Sequence, residues 1–414
     1  MTTSASERAR AFLAREPATF VLALALLLGL QPVTTDLYLP ALPGIARDLA
    51  SPMHLTQLTL SALILAFGCS QLAIGPLADR LGRRGVLAGG LTLYAAAAAA
   101  SAASDGIHML VACRALQGVG LAAAVVCARA MLRDLYRPAE GARVMSQALS
   151  GLGLIALASP VVGGLLAGAW GWRAALAATG VVAAATLALL LARVPETLAT
   201  PNRDALRAGP LLASWSRILR HPVFVAWTLL ITCTYGGLYA YLAGSSFVFI
   251  ETLGVSRTSY GLALAASSLS YIAGTFWCRQ MLARHGLAGA VRRGCGVSLT
   301  AAIAMAGCVA MGWQHPLAVA GPQALYAFGH GVHQPCAQAA VAGPFPAHAG
   351  TASALSGFIM ALFAFGIGGW LGRALDGSVQ PLLVTMAACA GLTGLVGLTL
   401  VQRHGEPRDS ARQA

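Results

Sequence analysis

The chain has 414 residues, of which 57% are hydrophobic and only 10% are charged. A soluble domain carries about 25% charged residues, so this composition excludes a soluble protein of this length. The formal net charge is +13, and all 27 basic residues are arginines. These arginines are spread along the chain in separate clusters, which argues against a nucleic-acid partner.

The arginine clusters alternate with apolar segments. About 21 arginines fall in six loops and tails, and about four fall in the loops between them. The six clusters lie at 8–15, 80–84, 133–143, 193–220, 279–293 and 403–412. This asymmetry follows the positive-inside rule and predicts a bacterial inner-membrane protein with both termini in the cytoplasm. The polar first 17 residues and the long first apolar segment predict no cleaved signal peptide.

Twelve apolar segments are long enough to cross a bilayer as helices. They lie at 18–42, 55–78, 86–104, 108–132, 144–168, 172–194, 222–247, 258–283, 290–312, 316–342, 350–374 and 380–402. The third is the weakest, because its run AAAAAA at 95–100 is barely hydrophobic. The pattern predicts an all-α membrane protein with twelve transmembrane helices in two pseudo-symmetric halves. The halves are 1–194 and 222–414, and a cytoplasmic linker at 195–221 joins them.

The nine cysteines are scattered singly, and no CxxC pair occurs. This pattern predicts neither disulfides nor a metal cluster, and cysteine is often a small buried apolar residue. We therefore expect no metal and no cofactor other than a proton gradient.

The loop GPLADRLGRRGV at 75–86 follows the second segment. Its glycines Gly75, Gly82 and Gly85 suit a tight turn and close helix approach. The stretch resembles the signature loop of the major facilitator superfamily, which latches the two halves in one conformation. The matching charged residues are Asp79, Arg80, Arg83 and Arg84. The resemblance implies that Asp79 pairs with Arg129 or Arg133; the alternative is a solvated basic loop.

The fourth segment contains a second stretch that resembles this superfamily, the motif R-x-x-Q-G-x-G. It begins at Arg114, and Gln117 shares its helix face. Arg114 is expected about 7 to 8 Å inside the outer surface, and Asp36 roughly 10 Å inside the same surface. Similar depths favour an ion pair or a water-linked relay, and the alternative is that Arg114 extends to the interface.

The fifth segment resembles the antiporter motif of the superfamily, G-x-x-x-G-P-x-x-G-G. Pro160, Gly163 and Gly164 match it, whereas Ser159 and Ile155 replace two glycines. Because of these replacements the match is partial, and the motif is weaker evidence for the direction of transport. Ordinary packing of membrane helices would need the same small residues and the same proline.

The stretch TTDLYLPALP at 34–43 places a carboxylate, Asp36, at membrane depth, where charged residues are rare and usually functional. The pattern T-D-x-Y-L-P resembles the drug:proton antiporters of the bicyclomycin and chloramphenicol resistance branch, Bcr/CflA. The stretches 241–256 and 349–358 also resemble that branch. The resemblance implies that Asp36, tuned by Arg114, carries the proton. Some relatives have a second acidic residue at the position that Leu28 occupies in this chain. The resemblance therefore implies that proton coupling rests on Asp36 alone and that strongly cationic substrates are disfavoured. The alternative is that Asp36 is a cap or an interface residue near Pro40.

Aromatic residues and two histidines are further candidates. Tyr38, Tyr235 and Tyr239, with Gln117, are predicted to bind substrate, although membrane aromatics often only pack. His330 and His333 share a helix face, but two histidines make an incomplete metal site or proton relay.

These features predict a monomeric, proton-coupled efflux transporter for small amphipathic molecules in the lipid bilayer. The alternative on the same fold is an exporter or symporter of an endogenous metabolite. A membrane enzyme or sensor would need clustered catalytic groups or a soluble domain. The sequence offers neither, so we expect no enzyme.

Overall fold

The computed structural model describes residues 16–136, 138–201, 208–345 and 348–405, which fold almost entirely as helices. The arginines at 8–15 and 408–412 and the linker residues 202–207 lie outside the described ranges. In chain order the helices are α1 (Pro17–Thr35), α2 (Leu42–Asp48), α3 (Met53–Leu81), α4 (Arg83–Ala102), α5 (Ile107–Leu135), α6 (Pro138–Ala169), α7 (Gly171–Arg193), α8 (Ala208–Leu219), α9 (Pro222–Ser246), α10 (Arg257–Ala310), α11 (Pro316–Ala342), α12 (Ala349–Ala374), α13 (Gln380–Leu398) and α14 (Leu400–His404). A 3₁₀ helix (Leu39–Ala41) precedes α2, and a π-helix (Phe247–Thr252) follows α9.

Within the described residues, ten stretches are long and apolar enough to cross a membrane. The weak third segment is among them, as α4. One stretch, α10, has 54 residues and contains a break at Gly286, where φ is 66°. At 1.5 Å per residue its length is more than twice the thickness of a hydrocarbon core, and the break at Gly286 divides it into two helices. The helix α11 has 27 residues but is not among these ten stretches.

The chain divides into two compact units. Unit 1 contains the residues up to Ser51 together with Ala62–Ala208, and unit 2 contains Pro52–Ser61 together with the residues from Gly209 onward. The first turns of α3 therefore group with unit 2, which the predicted division into 1–194, 195–221 and 222–414 does not anticipate. Inside unit 2, the hydroxyls of Ser61 and Tyr239 lie 2.8 Å apart.

Close backbone contact positions α5 in unit 1. A Cβ atom on Gly118 would overlap the carbonyl oxygen of Leu63 and lie 3.0 Å from the amide nitrogen of Phe67, both in α3. A Cβ atom on Gly120 would lie 2.8 Å from Cβ of Tyr94 in α4. Small residues allow membrane helices to approach this closely, so these two glycines fix α5, and with it Arg114, against α3 and α4.

A methyl group at Gly118 is expected to destabilise unit 1. Gly118→Ala forces α3 and α5 apart, and overpacking of this kind costs about 1–3 kcal/mol. We expect a thermal midpoint several degrees below that of the wild-type protein in detergent. Gly89→Ala in α4 is the control, because nothing lies within 4 Å of its Cβ position. Equal midpoints for the two variants would contradict the packing.

Candidate functional site

The guanidinium of Arg114 is the centre of the polar site in unit 1, and its exposed fraction is 0%. Its Nη1 donates to Oε1 of Gln117 at 2.7 Å, and its Nη2 donates to the backbone carbonyl of Thr34 at 2.9 Å. The guanidinium carbon lies 4.2 Å from the centre of the Tyr38 ring, a distance typical of cation–π contacts. Arg114 therefore lies in the interior of unit 1 and does not extend to the membrane surface.

The end of α1 explains why Arg114 binds there. The last four carbonyls of a helix have no partner within the helix, and the Thr34 carbonyl is one of them. A cation at the C-terminal end of a helix also interacts favourably with the helix dipole. Arg114 thus satisfies an otherwise unpaired acceptor and neutralises the negative end of α1.

Further hydrogen bonds extend this site to two more helices. The hydroxyls of Thr34 and Tyr94 lie 2.6 Å apart, and Nε2 of Gln117 lies 3.5 Å from Oγ1 of Thr179 in α7. Side chains from α1, α4, α5 and α7 therefore form one buried network. The Nε atom of Arg114 is buried and has no hydrogen-bond partner among the described residues.

Asp36 lies at the C-cap of α1, immediately before the chain turns into the 3₁₀ helix. It is partly buried, and the Thr35 hydroxyl donates to its Oδ1 at 2.7 Å. No ion pair joins Asp36 to Arg114 among the residues that the structure describes. Asp36 occupies the cap position that was the alternative interpretation, but a carboxylate at a helix C-terminus opposes the helix dipole. A purely structural cap does not explain the choice of an acid here.

The helix α6 passes directly beside Asp36. A Cβ atom on Gly163 would overlap the backbone of Leu37, so only glycine allows this approach. Pro160 lies inside α6, and Gly164 is buried beside Gly163. The residues that match the antiporter motif therefore pack against the segment that carries Asp36.

The predicted tyrosines fall in different units. Tyr38 packs on Arg114 in unit 1, whereas Tyr235 and Tyr239 lie in α9 of unit 2 with ring centres 6.4 Å apart. Tyr239 is fully buried, and Tyr235 is partly buried. A Cβ atom on Gly368 would lie 3.2 Å from the Tyr239 hydroxyl, so α12 passes closely over it.

The turn between α3 and α4 holds a cluster of charged side chains. Arg83 forms an ion pair with Asp79 at 2.5 Å, and its Nε donates to Oδ2 of Asp134 at 3.1 Å. The predicted pairing of Asp79 with Arg129 or Arg133 is therefore wrong. Arg83 is four residues from Asp79, just across the turn at Gly82, whereas Arg129 and Arg133 are exposed on α5.

Glu196 is a member of this cluster that the sequence analysis missed. Its Oε1 and Oε2 accept hydrogen bonds from the backbone amides of Arg83 and Arg84, each at 3.0 Å. These are unpaired donors at the N-terminus of α4, where a negative charge is stabilised. Gly82 has a φ of 96°, and a Cβ atom there would lie 2.6 Å from Oε2 of Glu196. Glycine is thus required at Gly82 for two reasons.

Other residues of the predicted latch have smaller roles in this structure. Gly75 and Gly85 have nothing within 4 Å of their Cβ positions, so the prediction that they allow close helix approach is wrong. Arg80 is exposed, and Nη2 of Arg84 donates to the Leu191 carbonyl at 2.8 Å. The turn depends on Gly82, Arg83 and their acidic partners.

His330 and His333 are buried in unit 2. Nδ1 of His330 lies 3.1 Å from the Thr234 hydroxyl, and Nε2 of His333 lies 3.1 Å from the Ser298 hydroxyl. Within the described ranges, no three His, Cys, Asp or Glu side chains are arranged to hold a metal ion. Each histidine contacts a different hydroxyl, so the pair does not form one site.

An all-helical, multi-pass membrane protein with charged side chains buried among its helices has the architecture of a transporter. The sequence profile described as Major Facilitator Superfamily matches residues 24–369. The chain belongs to this superfamily, and with it the prediction of a transporter rather than an enzyme is confirmed.

Similar proteins agree with this assignment. The chain is 28% identical to multidrug resistance protein D of Escherichia coli (strain K12) over 390 residues, covering 94% of this chain and 98% of that one. It is 26% identical to the bicyclomycin resistance protein homolog of Haemophilus influenzae over 395 residues, covering 94% of this chain and 98% of that protein. The structure also resembles the crystal structure of a D-xylose-proton symporter, with a TM-score of 0.72 and 17% sequence identity. The match covers 92% of this chain and 97% of the symporter chain, so the two share a fold. The predicted resemblance to drug-resistance transporters is confirmed.

Removal of the negative charge at Glu196 is expected to loosen the α3–α4 turn. Glu196→Gln cannot accept all of its present hydrogen bonds, and hydrogen bonds to charged groups contribute about 1.5–3 kcal/mol each. We expect a lower thermal midpoint and transport reduced by about tenfold. Glu140→Gln, at an exposed position, is the control. A fully active and stable Glu196→Gln protein would show that the capping carboxylate is dispensable.

Proposed function

We propose that this chain exports small amphipathic molecules in exchange for protons by alternating access. The observation that carries the proposal is Asp36, a partly buried acid at the broken end of α1, two residues from the carbonyl that binds Arg114. Membership of the Major Facilitator Superfamily and the names of the two relatives, which refer to multidrug and bicyclomycin resistance, support a drug as the substrate.

Asp36 carries the proton in this proposal. The Asp36 side chain is partly buried, and the Thr35 hydroxyl donates a hydrogen bond to its Oδ1 at 2.7 Å. In this proposal, a change in water access as the transporter alternates lets Asp36 take up a proton on one side of the membrane and release it on the other. Proton entry releases free energy for export only if protonation and substrate occupancy favour different states of the transporter.

Arg114 and Gln117 tune Asp36 or contact the substrate, and Tyr38 supplies an aromatic surface beside them. In unit 2, Tyr235 and Tyr239 of α9 are the proposed aromatic contacts for the substrate. Proton and substrate compete through the Arg114 network, because both alter the charge near the end of α1. The proton gradient is the only energy source, and no bound cofactor takes part.

The turn between α3 and α4 acts as the conformational latch. Asp79, Arg83 and Arg84, together with Glu196, hold it in the observed arrangement. The protein works as a monomer in the bacterial inner membrane, with twelve helices and both termini in the cytoplasm. The arginine-rich loops support this orientation through the positive-inside rule.

An exporter or symporter of an endogenous metabolite is the second candidate. It is favoured by the altered antiporter motif in α6, where the Ser159 hydroxyl donates a hydrogen bond back to the carbonyl of Ile155 at 2.7 Å. Ile155 itself fills the space beside Gly29 of α1. Failure of the wild-type protein to transport any drug, with gradient-dependent transport of a metabolite, would favour this candidate.

Asp36→Asn tests the proposal in everted vesicles loaded with a pH gradient. We expect the wild-type protein to accumulate chloramphenicol and Asp36→Asn to lose gradient-driven accumulation while retaining exchange of labelled for unlabelled drug. Each unit of pH gradient is worth about 1.4 kcal/mol per proton, or a tenfold concentration ratio. Asp105→Asn is the control, because the Asp105 side chain is 99% exposed. Normal accumulation by Asp36→Asn would place the proton path elsewhere.

Arg114→Lys is expected to reduce transport at least tenfold although the positive charge remains. A lysine ammonium is a point charge and cannot reproduce the fork that binds Gln117 and the Thr34 carbonyl together. Arg133→Lys, at an exposed position near the end of the same helix, is the control and should keep its transport rate. Equal rates for the two variants in the vesicle assay would show that only the charge of Arg114 matters.

A further inference from the structure

Two thiols meet where α10 packs on α11 in unit 2. The sulfur atoms of Cys278 and Cys336 lie 3.5 Å apart, and both residues are only 1% exposed. All nine cysteines lie in the described ranges, and this is the one pair whose sulfurs are within hydrogen-bonding distance. The sequence predicted no disulfide because its cysteines are scattered singly and no CxxC pair occurs.

Direct backbone contact between the two helices brings these thiols together. A Cβ atom on Gly274, one turn before Cys278, would overlap the carbonyl oxygen of Phe328. A Cβ atom on Gly331, just over one turn before Cys336, would overlap the carbonyl oxygen of Tyr271. The backbones, rather than flexible side chains, therefore set the spacing of the sulfurs. A disulfide bond is about 2.05 Å long, so the sulfurs need to approach by about 1.5 Å through side-chain rotation.

We propose that Cys278 and Cys336 are a redox-modifiable dithiol that forms a reversible disulfide between α10 and α11. Two S–H bonds break and one S–S bond forms, and two electrons and two protons pass to an oxidant. The site is buried among apolar helices, so the oxidant belongs to the uncharged, membrane-permeant two-electron acceptors, such as diazenes and quinones. Charged oxidants such as oxidised glutathione do not reach it.

The disulfide stabilises unit 2. It closes a long loop between α10 and α11, which reduces the conformational freedom of the unfolded chain. The glycine contacts already hold the two helices together, so the bond forms without separating them. This inference does not depend on which substrate the protein transports or on proton coupling.

The experiment treats membranes containing the full-length protein with diamide, a diazene that is reduced to the hydrazine as the disulfide forms. Free thiols are then alkylated under denaturing conditions, and unreduced peptides are identified by mass spectrometry. We expect a peptide pair joined through Cys278 and Cys336, lost on reduction with dithiothreitol and absent after oxidised glutathione treatment. Its absence after diamide would overturn the proposal.

Single-cysteine variants provide the controls. Cys278→Ala and Cys336→Ala should each abolish the joined peptides, whereas Cys295→Ala, at another buried cysteine, should keep them. Diamide should raise the thermal midpoint of the wild-type protein and of Cys295→Ala by about 5 °C, with no rise in Cys278→Ala. A joined peptide without this rise would contradict the stabilising role of the bond.

Discussion

A charge buried among membrane helices needs polar partners, and Arg114 meets this constraint by binding the end of α1. An isolated buried charge is costly unless it is hydrogen-bonded. Arg114 finds its partners in Gln117 on its own helix and in the unpaired Thr34 carbonyl. This contact holds the last turn of α1 against α5, and Asp36 follows two residues after Thr34. The surrounding glycines of α5 and α6 allow the helices to come close enough for it to form.

Both polar clusters of unit 1 are built on helix termini. Arg114 neutralises the C-terminal end of α1, and Glu196 neutralises the N-terminal end of α4. Helix termini carry unpaired backbone groups and partial charges, so they attract side chains of the opposite sign. A transporter built this way can place ionisable groups at defined points without a separate binding domain. The proposed proton site and the proposed latch follow the same physical rule.

The sequence predicted the helices well because hydrophobic length is a strong signal in membrane proteins. It also identified Arg114 and Gln117, whose spacing places them on one helix face, and the structure joins them by a hydrogen bond. It paired Asp79 with the wrong arginine, because helix spacing does not show that the turn at Gly82 brings Arg83 back onto Asp79. Glu196 was missed because its partners are backbone amides, which leave no mark in the sequence. The contact of Cys278 with Cys336 was missed because it depends on tertiary packing between two helices.

The central claim is that Asp36 exchanges a proton as substrate binds. The most direct test measures proton release when chloramphenicol is added to purified protein in weakly buffered detergent solution containing a pH indicator. We expect the wild-type protein to release a proton on binding and Asp36→Asn to bind the drug without releasing one. Equal proton release from both proteins would contradict the account, because the proton would then come from a group other than Asp36.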